Sequence, residues 1–219
     1  MSDDLKAYNA LEAGHNDEIL RIYSWQPRCI SLGYSQEIEE EIDQNLAKEL
    51  GWDVVQRPTG GGLVFHNEAE ITYSLVIGKD QLPAGLVPSF AKISEAVILA
   101  LKAIGINAAM RDLISDIRGP KSKVIGPRSL CFSYPEGYEL VANGKKIVGA
   151  AQKRGKRALL QQGSIYVKPI EKAAYQILRH PFEEPDAVSM RELLGRVPSF
   201  DELSQALIQG FQEGLGFES

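Results

Sequence analysis

A cysteine, a lysine, a histidine and three consecutive glycines are the residues of this chain with chemistry beyond packing. Cys131 stands in "SLCFSYPEGYEL", fifteen positions before Lys146. A thiolate attacks acyl carbonyls, and a nearby ammonium lowers the thiol pKa and raises the thiolate fraction. The plainer reading is that a lone cysteine is a small core hydrophobe. Cys29, inside the apolar run "CISLGY", fits that description better. Lys145 and Lys146 follow a turn, and alternation along a strand puts them on opposite faces. One then points outward and the other shares a face with Val148. An inward lysine is costly unless it meets an anion or a polar ligand. Two solvated lysines at a hairpin are the alternative.

Gly60, Gly61 and Gly62 remove every Cβ along about 10 Å of chain, at about 3.3 Å per residue. A ligand can approach such a backbone closely, and its N–H groups can bind an anion or a carbonyl oxygen. Arg57 adds a planar fork of donors suited to a phosphate or carboxylate. The alternative is a bulged hairpin with a solvent-facing arginine. The triplet is neither a P-loop, since no Gly-Lys-Ser/Thr follows, nor a dinucleotide fingerprint, whose spacing differs. His66, leaving this turn, is a general base or a satisfied core histidine.

The elements that must position these residues follow from periodicity. "EILRIYSW", "RCISLGY", "WDVVQR", "GLVFH", "ITYSLVIG" and "ALLQQGSIYV" read as strands. Asn143-Gly144 between alternating apolar runs is a strong hairpin signal. Ile38, Ile42, Leu46 and Leu50 recur every four residues and predict one amphipathic helix capped by Ser35. A second helix is predicted over 89–104, ended by Gly105. Residues 112–130 read as a long polar loop. Three helices close the chain. Ser189 with Glu192 and Ser199 with Glu202 have capping-box spacing, and Leu203, Leu207 and Phe211 form the last helix's buried stripe. Strands grouped in hairpins and helices in blocks predict an α+β fold with a mixed, mainly antiparallel sheet.

Composition narrows the function. A net charge of −5 argues against a general nucleic-acid binder. No apolar run reaches the length of a membrane span, and the acidic start "MSDDLKAYNA" is not a signal peptide. Two distant cysteines read as free thiols in a cytoplasmic protein. His15, His66 and His180 lack metal-ligand spacing. The basic stretch Lys153 to Arg157 suits an acidic partner, with a solvated hairpin tip as the alternative.

Three ordered blocks resemble the lipoate–protein ligase and octanoyltransferase superfamily. They are "YSWQPRCISLGYSQ", "RPTGGGLVFH" with "EITYSL", and "GKKIVGAAQKR" with "LLQQGSI". The resemblance runs from about Leu20 to the end. It implies a single domain over 1–219, with a mixed sheet flanked by helices as in the catalytic domains of biotin ligases and class II aminoacyl-tRNA synthetases. It implies an enzyme that attaches octanoyl or lipoyl groups to a lysine of a lipoyl domain or of the glycine-cleavage H protein. Lys146 matches the lysine that contacts the acyl carbonyl. Arg57, Gly60, Gly61, Gly62, His66, Gly149, Ala150, Gln152, Gly163 and Ser164 match substrate-binding positions. In the cysteine-dependent branch the nucleophile stands in a "CF" dipeptide before a "YEL" strand, as Cys131 does here. That branch takes octanoyl from acyl carrier protein and uses no cofactor. The ligase branch uses free lipoate with ATP and Mg, and usually an accessory domain, for which the chain beyond Phe211 leaves little room, or a separate small subunit, which stays open here. A non-catalytic lipoate- or biotin-binding homologue is the third reading. Gln56, Asn67 and Gln162 depart from the family's usual arginine, aspartate and histidine, and the N-terminal helix reads as shortened.

Overall fold

The computed structural model describes residues 2–15, 18–67, 69–111, 139–181 and 186–217. Its centre is an antiparallel sheet in the order β1-β5-β9-β8-β7-β6. These strands are β1 (Ile19–Tyr23), β5 (Ile71–Gly78), β6 (Ala109–Met110), β7 (Leu140–Ala142), β8 (Lys145–Arg154) and β9 (Ala158–Ile165). A second sheet, β3-β2-β4, joins β2 (Cys29–Leu32) in parallel to β3 (Asp53–Gln56) and antiparallel to β4 (Val64–His66). The expected mixed, mainly antiparallel α+β fold is the one observed.

Asn143 and Gly144 both have positive φ, at 51° and 77°, and close the β7–β8 hairpin. That matches the paired left-handed turn expected of Asn-Gly. A bulge between Leu140 and Val141 shifts the register, so Val141 faces Lys146 while Leu140 faces Val148. Helices α4 (Leu86–Ala103) and α6 (Phe200–Leu215) cover one face of the large sheet. Ile93, Val97 and Leu101 of α4 and Leu203, Leu207 and Phe211 of α6 are buried there against Tyr73 and Leu75. Gly105, at φ +88°, follows the end of α4 as expected. The other face of the large sheet meets the small sheet and the N-terminal helix α1 (Ser2–Glu12).

Three expectations need correction. The single helix expected around Ile38 to Leu50 is two, α2 (Ile38–Glu41) and α3 (Gln44–Glu49). Ile42 between them is extended and bridges to Leu178, where it is fully buried. Asp43, not Ser35, is the side-chain cap, accepting from the Asn45 and Leu46 N–H groups at 3.0 and 3.1 Å. Second, the first of the three closing helices is a 3-10 segment, Lys172–Ile177, ahead of α5 (Met190–Leu194) and α6. Third, Ser189 and Glu192 form a full capping box, but Ser199 and Glu202 form half of one. Glu202 turns its carboxylate to Arg196 instead. Among the described residues, no helix is long and apolar enough to cross a membrane.

Candidate active site

Between the two sheets lies a pocket of about 370 Å³, part of it open to solvent. Its floor is the face of the large sheet where side chains are small, with Gly149, Ala150 and Ala151 of β8 beside Gly163 and Ser164 of β9. Its cover is Trp25, Arg57 and His66. Gly163 contributes backbone only. A Cβ there would point to the helix-covered face and stand 2.3 Å from the Tyr73 ring.

The glycine turn is a tightly packed corner. Gly61 has φ +85°, a region L side chains disfavour. A Cβ on Gly33 would lie 1.9 Å from the Gly61 carbonyl oxygen, so the two segments touch through bare backbone. Arg57 is buried and donates to the Gly60 and Gly62 carbonyls at 2.7 and 2.6 Å. It also donates to the Ser31 carbonyl at 3.0 Å and the Ser31 hydroxyl at 3.2 Å. Gln56, where the family's usual arginine is missing, donates to the Tyr34 and Gln36 carbonyls at 3.2 and 3.0 Å. Both residues fix the corner.

His66 is buried and fully engaged. Its Nε2 is 2.7 Å from the Ser31 hydroxyl, and its Nδ1 is 2.6 Å from Glu70 Oε1. Arg57 donates to Ser31, so Ser31 donates to Nε2 and Nδ1–H faces Glu70. This tautomer follows from the network. A second arm reaches the same carboxylate. Trp25 donates from Nε1 to Thr72 at 2.8 Å, Thr72 pairs with Ser164 at 3.2 Å, and Ser164 donates to Glu70. The Trp25 ring stacks on His66 with centroids 4.2 Å apart. The Tyr23 hydroxyl, also at the pocket, is buried and has no hydrogen-bond partner among the described residues. Burial, with Asp4 nearby, pushes its pKa up.

Lys146 is fully buried and paired with Glu139, while Lys145 is exposed. Lys146 is inward, but not by plain alternation: the bulge sets it opposite Val141 and so on the other face from Val148, where alternation had placed it. Its backbone N–H donates to Asp186 and its carbonyl accepts from Val188, so the segment before α5 closes over it. The register sets Lys146 apart from the glycine turn. Thr59, at the turn, donates to Gln162 at 2.9 Å, and Gln162 pairs with Ala151. Lys146 is five positions before Ala151 on β8, roughly 16 Å at 3.3 Å per residue. Gln152 is not at the pocket. Its amide donates to Gln161, and Gln161 donates to the Tyr73 hydroxyl, both on the helix-covered face.

Cys131 and the expected loop 112–130 lie outside the described residues. Cys29 is buried, and desolvation pushes its thiol up to about 12, as suits an inert core cysteine. Sequence reasoning missed Asp4, Thr59, Glu70 and Glu139. Glu139 alone carried a usable signal, because the Asn143-Gly144 hairpin folds it back toward Lys146.

The pocket is built on a strand with small side chains, and a buried lysine lies farther along that strand. The chain belongs to the lipoyl protein ligase A/B catalytic domain family, whose model matches residues 3–212. It is 34% identical to the octanoyltransferase LipM of Kyrpidia tusciae, over 99% of this chain and 82% of that protein. It is 32% identical to the octanoyltransferase LipM of Bacillus subtilis, over 90% of this chain and 74% of that protein. Among solved structures, lipoate-protein ligase A bound with ATP superimposes with a TM-score of 0.75 at 29% identity, covering 97% of this chain and 78% of that one. A bi-partite lipoate protein ligase from Thermoplasma acidophilum, solved in a study of that ligase and its E2 lipoyl domain, gives 0.71 at 25%, covering 99% and 80%.

Proposed function

We propose that this protein is an octanoyltransferase that moves an octanoyl group from an acyl carrier protein to a lysine of a lipoyl domain, through a thioester on Cys131. The observation that carries this reading is the pocket floor. Small residues from Gly149 to Ala151 lead away from the buried Lys146, a shape that suits an unbranched acyl chain.

In the first half-reaction the Cys131 thiolate adds to the donor's thioester carbonyl. The tetrahedral intermediate expels the donor thiolate, which takes up a proton, and the acyl group is left on Cys131. In the second, the neutral amine of the acceptor lysine adds to that carbonyl, loses a proton, and expels the Cys131 thiolate as the amide forms. Lys146 faces the oxyanion in both steps, leaving Glu139 to do so. Stabilisation of that kind contributes heavily to acyl transfer. Arg57, Trp25 and His66 line the acyl chain rather than the carbonyl, and the glycine corner stands behind Arg57. The glycine-cleavage H protein is a second candidate acceptor of the same chemistry.

Intact-mass analysis after incubation with octanoyl-acyl carrier protein tests the mechanism. The wild type gains one octanoyl group, and Cys131→Ala gains none. An adduct on Cys131→Ala, or none on the wild type, overturns it. The ligase neighbour solved with ATP motivates the second reading, in which ATP and Mg activate free lipoate. Loading that needs ATP and survives Cys131→Ser would establish it instead.

A further inference from the structure

Gln162 stands at the end of the pocket floor farthest from Lys146. Cross-strand register divides the pocket floor into rows. Tyr23, Thr72, Ser164 and Gly149 form one row. Arg21, Ser74, Gln162 and Ala151 form the next, farther from Lys146. In that farther row only Gln162 and Ala151 line the pocket, and Gln162 has the longer side chain.

Gln162 is held from both sides. Its amide oxygen accepts from the Thr59 hydroxyl at 2.9 Å, and its amide nitrogen donates to Asp4 Oδ2 at 2.9 Å. Thr59 and Asp4 are both fully buried. Asp4 is held in turn by an ion pair with Arg21 of β1. The side chain therefore bridges the glycine corner, the large sheet and α1, and each of its polar ends is bonded. A buried amide with both ends satisfied resists rotation, because leaving its partners strands them away from water. One row beyond it the wall changes character. Leu160 and Val76 pack with Tyr8 and Leu11 of α1 in an apolar cluster.

We infer that Gln162 is the end wall of the acyl pocket and the residue that limits the acyl chain to about eight carbons. This rests on the acyl-transfer reading above. Lys146 fixes the carbonyl end, and the roughly 16 Å of strand between it and Ala151 holds the lysine side chain and an extended octanoyl group. A longer chain must displace Gln162 to reach the apolar cluster. Thr59 and Asp4 act through Gln162 as positioning residues.

The test is a donor series of octanoyl-, decanoyl- and dodecanoyl-acyl carrier protein, read as kcat/KM. In Gln162→Ala the dodecanoyl-to-octanoyl ratio rises about tenfold or more, the scale on which apolar pockets discriminate chain length. Gln162→Asn shifts the ratio the same way by less, and Gln162→Met, of similar length, keeps octanoyl preferred. A folded Gln162→Ala with the wild-type ratio overturns the inference. Should that variant not fold, equal ratios in Gln162→Asn and Gln162→Met overturn it. Thermal shifts with free octanoic and dodecanoic acid separate the two claims without turnover. A wild type that transfers nothing, with a Gln162→Ala that gains dodecanoate binding, sinks the transfer reading and keeps the wall. Unchanged acid preference in Gln162→Ala sinks the wall whether or not the wild type transfers.

Discussion

Two buried cations, Arg57 at the pocket and Lys146 farther along β8, are held in opposite ways. Arg57 donates to three main-chain carbonyls and a hydroxyl, all on a corner whose backbones touch. Losing those bonds means opening the corner. Lys146 meets a side-chain carboxylate, Glu139. A change of side-chain rotamer is enough to redirect an ammonium from a carboxylate to a developing oxyanion. The Arg57 corner is built to keep one shape, and Lys146 to exchange partners.

The contrast predicts that damage at Lys146 removes rate and damage at Arg57 removes stability. The largest effect expected is from Lys146→Met. It lowers kcat by roughly 10²–10³-fold with little change in KM for the acyl donor, the usual scale for losing an oxyanion donor. Wild-type kcat in this variant would erase the distinction. Arg57→Ala comes next. It strands buried carbonyls and costs about 3 kcal/mol of stability, or about 10 °C in Tm for a chain of this size. Arg57→Lys recovers little, because a single ammonium cannot reproduce the planar fork. A thermal melt of Arg57→Ala matching the wild type would show that the corner does not depend on its arginine.

Much of this was legible in the sequence where local rules decide. The Asn143-Gly144 hairpin, the Gly105 helix stop and the buried stripe of α6 are set by neighbours along the chain, and each formed as read. The face that Lys146 takes was not legible, because a bulge opposite Val141 breaks the alternation on which that expectation rests. The helix around Ile42 was misread because burial every four residues also fits two short turns joined by an extended residue. Ile42 takes that conformation through its long-range bridge to Leu178. The site was legible in residue types but not in spatial order. Nothing in "QRPTGGG" indicates that Arg57 would hold its own turn, or that the turn would sit at Gln162 and far from Lys146. Asp4 was invisible because its partners, Arg21 and Gln162, lie 17 and 158 positions away.

The two helix caps sharpen the comparison at the smallest scale. Ser189 caps α5 directly after Val188, whose N–H donates to the Lys146 carbonyl. Its hydroxyl and backbone N–H both donate to Glu192, at 2.6 and 2.8 Å, and those bonds hold the Glu192 carboxyl below the usual carboxylate range. Ser199 caps α6 at the surface through one bond, accepting from the Glu202 N–H at 3.1 Å. Ser189→Ala therefore costs about 1 kcal/mol, and Ser199→Ala about 0.5 kcal/mol, within the range for lost N-caps. Only the first also lowers kcat, because the strand-like pairing that seats Lys146 continues into the capped turn. Melts and turnover of the two variants, measured side by side, decide the matter. Equal losses of turnover would mean that Lys146 is anchored by the sheet alone and that α5 has no part in holding it.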